Sequence, residues 1–432
     1  MMKKNKNIFL GKKILIYGLG KSGISSYKFL KNKSKVYLFD DYQKKNLIYN
    51  QKKRSHKEIS KINFDFIIIS PGIDISKCKL SKFLKKNNSR IYTDLDVFYE
   101  FFKNKSITIT GTNGKSTTCQ LLYEVMTNQK IDVKLVGNIG NPILSEKKIK
   151  KNTIFVIEAS SYQLEYSKIF KTNYAAILNI SPDHIERHKS IKNYVKAKFK
   201  LLKNQSKNNW AFLKKNDHYI EREIKFKNFN TKIIKVGNQQ TIKFLKKLNN
   251  NYFSNNANIE NLSFVIAISK KLGCNFNSIK KAVSKFKGLK FRQQVIFKSK
   301  NLTIINDSKS TSFSSTISLL KTKKNIFWLL GGIPKKGDKF DLNKKYFKNI
   351  KGYIFGRNKK FFNSELKRKI KFENFLNLKD ALKRVFQVIK KDNSIDKTIL
   401  FSPSAASFDF FKNFEERGFY FNKLIKKHLN GF

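Results

Sequence analysis

Residues 106–117 read SITITGTNGKST, a strand-like run that passes directly into a Gly-rich loop and then into a helix. Such a loop turns several backbone N–H groups toward phosphate oxygens, and the start of the following helix adds partial positive charge. The cradle predicted here runs through Gly111, Thr112, Asn113, Gly114, Lys115, Ser116 and Thr117. Lys115 would reach the β and γ phosphates, and the Ser116 hydroxyl would face Mg²⁺. The stretch departs from the general P-loop pattern at Ile109, which takes the place of the first glycine. A tight turn before a helix is the blander reading, but strand, GKS and helix standing in register argue against it.

Outward from this loop the chain keeps alternating apolar strands with helical segments, the pattern of an α/β fold with largely parallel sheets. KILIYGLG, a helix from about Ser22 to Asn32, and KVYLFDD form a first unit, and FDFIIIS ends in the turn Pro71–Gly72. TIFVIEAS, AAILNIS and WAFLK follow the loop; GLKFRQQ opens a third section containing LTIINDSKS, IFWLLGG and TILFSPS. Three α/β domains are expected: a Rossmann-like domain over 1–102, a central P-loop ATPase domain with a parallel sheet over 103–289, and a Rossmann-like C-terminal domain over 290–432. A length of 432 residues suits two or three cores, and no repeat of 20–50 residues is visible.

Composition narrows the setting. No run of about 18 apolar residues reads as a membrane span, and the lysine-led N-terminus is better explained by a first strand than by a signal peptide. Cys78, Cys119 and Cys274 are scattered, against a disulfide framework or a zinc site and in favour of a reducing cytoplasm. A net charge of +61 invites a nucleic-acid or membrane partner. Yet only nine of the 91 basic residues are Arg, the residue favoured for bidentate phosphate recognition. Lys, Asn, Ile and Phe are abundant and Ala, Gly and Pro scarce, as when codons drift toward A and T. The charge is therefore read as codon bias, without a specific nucleic-acid partner or membrane insertion.

Several weaker motifs stay open on their own residues. Gly18, Gly20 and Gly23 have dinucleotide-fingerprint spacing, with Asp40 closing the next strand; they could bind a nucleotide or pack a helix on a strand. In SPDHIERH, His184 and His188 stand four apart and could share a metal on a helix, although Pro182 favours a turn. Glu158, leaving TIFVIEAS, is a divalent-ion candidate or a hydrogen-bonded turn acid. Asp307, Lys309 and Thr311 follow a strand in INDSKST, as ligand groups or as a polar turn. LLGG with Lys335 and Lys336, and SPSAASFDFF with Ser404 and Ser407, add two further strand ends. Three polar strand ends in an open sheet point to one ligand-binding edge.

Taken in order, GTNGKST, GNIG, SSYQLE, SPDHIERH, INDSKST, LLGG and SPSAASFDFFKNFEERG resemble the Mur ligase family over nearly the whole chain, and within it the members that add D-glutamate. The resemblance implies a cytoplasmic, monomeric enzyme of peptidoglycan precursor synthesis, and hence of cell-wall biogenesis, cell shape and division. It implies ATP, two Mg²⁺ sites, UDP-N-acetylmuramoyl-L-alanine and D-glutamate as ligands. Gly20, Ser22, Asp40, Ser70, Gly72 and Asn138 would meet the UDP substrate, with Asp41 and Tyr42 where the family pattern has Thr and Arg. Lys115, Asn138, Glu158, His184 and Lys198 would form the reaction centre, with Ser116, Glu158, His184 and Lys198 on metal. Lys198 matches a lysine that is carbamylated; an ammonium would repel two divalent cations, whereas a carbamate is an anionic oxygen ligand. Asn258, Asn261, Arg292 and Asp307 would complete the ATP site. Lys309, Thr311, Lys335, Ser407 and Phe414 would receive D-glutamate, with Lys336 as the alternative to Lys335.

The nearest competing reading is a sibling ligase adding a different amino acid. An NAD-dependent oxidoreductase built on GLGKSG leaves GTNGKST and Glu158 unexplained. A nucleic-acid-binding ATPase rests on the charge alone.

Overall fold

Among the described residues every strand pairing is parallel except one, and the strands form three sheets. The computed structural model describes residues 7–41, 54–248, 250–335, 337–392 and 394–429. The first sheet has the order β2-β1-β3-β4, from β1 (Lys13–Tyr17), β2 (Lys35–Phe39), β3 (Phe66–Ile69) and β4 (Ile91–Tyr92). The second runs β10-β9-β8-β5-β7-β6. Its strands are β5 (Ser106–Thr110), β6 (Val133–Gly137), β7 (Ile154–Glu158), β8 (Tyr174–Ile177), β9 (Trp210–Lys214) and β10 (Lys232–Val236). The third runs β11-β12-β16-β13-β14-β15, with β11 (Gln294–Lys298) antiparallel to β12 (Leu302–Asn306). Its other strands are β13 (Ile326–Gly331), β14 (Ile350–Phe355), β15 (Lys371–Phe375) and β16 (Lys397–Phe401).

A parallel strand covered on both faces must be apolar throughout, and β5 and β13 are buried at every position. The helix Lys115–Asn128 buries Leu121, Leu122, Val125 and Met126 in one core with Ile107 and Ile109 of β5. Each such side chain contributes about 1.5–3 kcal/mol on burial. In the second sheet the chain leaves β5 to build β6 and β7 on one side, then crosses to β8, β9 and β10 on the other. In the third it crosses between β12 and β13, with β16 inserted later between them. Open sheets hold ligands beyond their C-terminal strand ends at such reversals. The P-loop follows β5, and INDSKST, LLGG and SPSAAS follow β12, β13 and β16, three adjacent strands.

Residues Met1–Phe286 form one compact unit and Lys287–Phe432 another. The first unit holds two sheets because the helix Asp94–Phe101 belongs to both. Its Phe98 packs edge-on against Phe155 of β7 at 4.8 Å, in a core that also contains Ile14, Ile16 and Ile68 of the first sheet. Asp96, wholly buried on the same helix, adds a polar tie. One of its oxygens accepts from the Thr93 N–H and hydroxyl; the other accepts from the Ser167 hydroxyl and the N–H groups of Lys168, Ile169 and Phe170, at 2.8–3.0 Å. Those donors replace the water lost by a buried carboxylate. No helix among the described residues is long and apolar enough to cross a membrane.

Candidate functional site

The P-loop closes because Gly114, at φ +83°, takes a left-handed conformation just before the helix. A Cβ there would stand 2.0 Å from Asn261 Oδ1, so Asn261, on the helix Asn256–Lys271, packs directly on the loop. Lys115 Nζ folds over it and donates to the carbonyls of Gly111 (2.9 Å) and Thr112 (2.8 Å). Ser116 is buried and its hydroxyl donates to Glu158 Oε2 at 2.6 Å. Asn138 Nδ2 donates to the other Glu158 oxygen at 2.7 Å. The register places Gly137 of β6 opposite Glu158 of β7, and a Cβ on Gly137 would meet the Glu158 carbonyl at 2.4 Å. Glu158 thus joins the phosphate loop to GNIG. Thr117 lies half-buried in the first helical turn.

Lys198, outwardly one more lysine of a basic helix, is almost fully buried on the inner face of Ile191–Lys203, while Lys196 is exposed. Its Nζ donates to the Gly111 carbonyl at 2.7 Å and lies 4.5 Å from the centre of the Tyr194 ring. Burial, with the Lys115 cation adding to it, holds its pKa well below the usual lysine value. The Tyr194 hydroxyl lies 3.1 Å from Thr112 Oγ1, and Asn113 N–H donates to Asn179 Oδ1 at 2.9 Å, so two residues that follow β8 brace the loop.

His184 and His188 do not converge. His184 adopts a left-handed backbone (φ +56°) ahead of the short helix Ile185–His188, with Nε2 3.4 Å from Asp183 and Nδ1 3.8 Å from Glu186. His188 turns inward, 3.0 Å from the Ser161 hydroxyl and stacked on Tyr162, and burial pushes its pKa down to about 4. No cluster of three or more His, Cys, Asp or Glu able to hold a metal ion occurs among the described residues. Mg²⁺ ordinarily takes one or two carboxylates and completes its shell with water and substrate phosphate. Glu158 and Ser116 are oxygen donors of that kind, beside the loop that would hold the phosphates.

In the first sheet the glycines serve packing as well as access. A Cβ on Gly23 would lie 1.8 Å from the Gly18 carbonyl, whereas Gly20 and Gly72 face open space. Ser70 Oγ donates to the Gly18 carbonyl at 2.6 Å, and Asp40 Oδ2 accepts from Leu19 N–H at 2.5 Å, so both side chains hold the loop. Asp41 accepts from the Tyr17 hydroxyl at 2.5 Å; Tyr42 lies outside the described residues. Ser22 Oγ donates to buried Asp94, which also faces Gln163 Nε2 at 3.5 Å.

At the third sheet Asp307 is buried, accepting from Ser402 Oγ (2.7 Å) and Gln293 N–H (3.0 Å). Burial raises its pKa to about 7 against the pull of those donors, Arg292 and Arg417. Arg292 sits between two left-handed residues, Phe291 and Gln293. Lys309 Nζ lies 3.9 Å from the centre of the Phe414 ring, and Ser308 Oγ donates to the Phe414 carbonyl at 2.8 Å. Ser407 is buried, its carbonyl accepting from Phe411 N–H at 3.0 Å; Thr311 is half-buried; Lys335 is exposed. Lys336 lies outside the described residues. Asn258, one turn before Asn261, donates to the Tyr252 carbonyl at 2.7 Å.

The structure therefore gathers Lys115, Ser116, Asn138, Glu158, Lys198 and Asn261 around one loop, and Lys309 with Phe414 around another. Sequence reasoning missed Asp94, Gln163, Tyr194 and Arg417. Gln163 lay inside the quoted SSYQLE and Arg417 inside SPSAASFDFFKNFEERG, but nothing in the sequence separates Asp94 and Tyr194 from ordinary helix residues.

The fold is shared with UDP-N-acetylmuramate–alanine ligase MurC from Thermotoga maritima, at TM-score 0.56 and 17% identity, covering 98% of this chain and 100% of that one. MurF ligase from Thermotoga maritima in complex with ADP gives TM-score 0.56 at 15% identity, covering 97% and 96%. At such identity these likenesses establish architecture alone. The Mur ligase middle domain matches residues 109–279. A relative from Rickettsia felis is 35% identical over 96% of this chain and 97% of its own length; one from Prochlorococcus marinus is 33% identical over 99% and 98%. This chain belongs to the Mur ligase family. Both relatives are named UDP-N-acetylmuramoylalanine–D-glutamate ligase.

Proposed function

We propose that this chain joins D-glutamate to UDP-N-acetylmuramoyl-L-alanine at the expense of ATP, in peptidoglycan precursor synthesis. The observation that carries this reading is Glu158, which holds the P-loop Ser116 with one oxygen and Asn138 with the other. Residues 1–102 take the UDP end of the substrate, 103–289 take ATP, and 290–432 take D-glutamate. The reaction runs in the cytoplasm on a single chain.

A carboxylate is a poor electrophile, so the L-alanine carboxylate first accepts the γ-phosphoryl group of ATP, giving an acyl phosphate and ADP. The D-glutamate amine then attacks the acyl carbon, phosphate leaves, and the amine proton is lost to solvent. Positioning and charge neutralisation are what the protein supplies. Lys115 exchanges the two carbonyls it now holds for phosphate oxygens. Asn138 orients the reacting carboxylate. Mg²⁺, held by Glu158 and Ser116 and at a second position by His184 and a carbamylated Lys198, would neutralise the phosphoryl oxygens. Lys198 suits that modification because a neutral amine is the form that adds CO₂, and burial disfavours the ammonium. Lys309, Thr311, Lys335, Ser407 and Phe414 receive the dicarboxylate, for which lysines and hydroxyls give charge-assisted hydrogen bonds.

The test is phosphate release from ATP and Mg²⁺ with UDP-N-acetylmuramoyl-L-alanine, comparing D-glutamate with L-glutamate, L-alanine and diaminopimelate. Release requiring both the UDP-sugar and D-glutamate, and abolished in Lys115→Ala, is expected. Release with another amino acid would reassign the acceptor; none from folded protein would overturn the reading.

A further inference from the structure

Arg417, in the first turns of the helix Phe414–Leu429, is completely buried. Its donors go to three separate loops. Nη2 donates to the carbonyls of Ser308 (2.7 Å) and Ala405 (2.9 Å), Nη1 reaches the Gly331 carbonyl at 3.5 Å, and Nε donates to Ser308 Oγ at 3.2 Å. Those acceptors follow β12, end β13 and follow β16, so one guanidinium bolts together the three neighbouring strand ends. No ion pair to Arg417 occurs among the described residues; Asp307 and Asp409 act on it only through longer-range attraction. Burial brings its pKa down to about 10, which leaves it a cation at neutral pH.

Bracing three loops does not by itself require a charge. A buried cation gives up its hydration, and carbonyl dipoles return only part of that. The geometry adds a reason: Lys309 follows Ser308, Ser407 lies two residues beyond Ala405, and the LLGG loop continues from Gly331. The cation lies beneath all three. Arginine is also the side chain whose planar fork can serve several fixed carbonyls at once.

We propose that Arg417 is the positioning residue of the acceptor site, locking these three loops in register and setting a positive potential beneath them that favours an amino acid with a second carboxylate. This inference rests on the reading of the third sheet as the D-glutamate site. Arg417 touches no substrate; it acts through Lys309, Ser407 and the loop backbones.

Arg417→Lys keeps the charge and loses the fork, whereas Arg417→Met loses both. Each is tested in the full chain by phosphate release, with KM taken separately for D-glutamate, the UDP-sugar and ATP, and D-glutamine as the singly charged acceptor. The expected result for Arg417→Lys is a KM for D-glutamate raised about tenfold, with the other two KM values within about twofold and the preference for D-glutamate over D-glutamine retained. Arg417→Met should raise that KM about a hundredfold and erase most of the preference. An unchanged D-glutamate KM in folded Arg417→Lys, or three KM values moving together, would overturn the proposal. Should neither variant fold, Ser308→Ala removes one acceptor and is expected to raise the D-glutamate KM about threefold; no change there overturns it equally. A wild type indifferent to D-glutamate overturns the functional reading and this inference with it, whereas a D-glutamate-dependent wild type with insensitive variants overturns the inference alone.

Discussion

Ser22 Oγ donates to Asp94 Oδ2 at 2.6 Å, joining the helix that follows the Gly-rich loop of the first sheet to a helix that also packs on the second. The other Asp94 oxygen accepts from Leu95 N–H at 3.0 Å and faces Gln163 Nε2 at 3.5 Å, and burial holds the carboxyl above its usual range. Ser22 is therefore aimed by a group fixed between two sheets. Asp94→Asn should raise the KM for the UDP-sugar about tenfold, because a hydrogen bond to an acid of this kind is worth about 1.5 kcal/mol. The ATP KM should stay within about twofold. Steady-state kinetics with each substrate varied decides it, and an equal rise in both constants would assign Asp94 to general stability.

Gly114→Ala attacks the P-loop through its backbone. A left-handed alanine costs about 1–2 kcal/mol, and the new Cβ would meet Asn261 Oδ1 at 2.0 Å. Calorimetric titration with ADP should show binding weakened at least tenfold or lost, while circular dichroism still reports a folded chain. Undiminished ADP affinity would place the nucleotide elsewhere.

Lys198 offers a test that depends on a gas. Preparing and assaying the enzyme in CO₂-depleted buffer should lower turnover severalfold, bicarbonate should restore it, and Lys198→Arg, which cannot be carbamylated, should be inactive in both. Turnover indifferent to CO₂ would show that the amine itself does the work.

Asp307 makes stability depend on pH in the direction opposite to an ordinary salt-bridged acid. Its carboxyl titrates at about 7 when folded, against 3.8 for the ordinary group. Between those values the folded chain keeps a proton that the unfolded chain releases, so this contribution is intact below about pH 4 and is lost as the pH rises to 7. The full loss amounts to roughly 4 kcal/mol. Asp307→Asn should therefore be more stable than wild type at pH 8, with the advantage shrinking by pH 5. Trp328, whose indole donates to the Ser402 carbonyl at 2.8 Å, reports the transition by fluorescence in a Trp210→Phe background. A stability difference independent of pH would contradict this assignment.

The strands that are apolar on both faces were legible from sequence, β1, β3, β5, β7, β8, β9, β12, β13 and β16 among them. β15 (KFENF) and β10 (KIIKV) escaped because edge strands carry polar residues that look like loop. The antiparallel β11 was hidden in the same way. Motifs that bend the backbone were readable, as GTNGKST demonstrates, because glycine spacing records geometry directly. Lys198 showed nothing of its burial, since a lysine on a basic amphipathic helix looks the same whichever face it occupies. Asp94 stood in no quoted motif and Arg417 stood in one without its role being read, for a related reason: their partners lie 72 and 109 residues away.

Arg417 also bears on how this chain can vary. An arginine written AGA becomes a lysine, AAA, by one G-to-A change, and nine of the 91 basic residues of this chain are arginines. At exposed positions the exchange keeps the charge at little cost. At Arg417 it would withdraw a fork that three strand ends share, so the exchange that is mildest elsewhere on the chain is costly there.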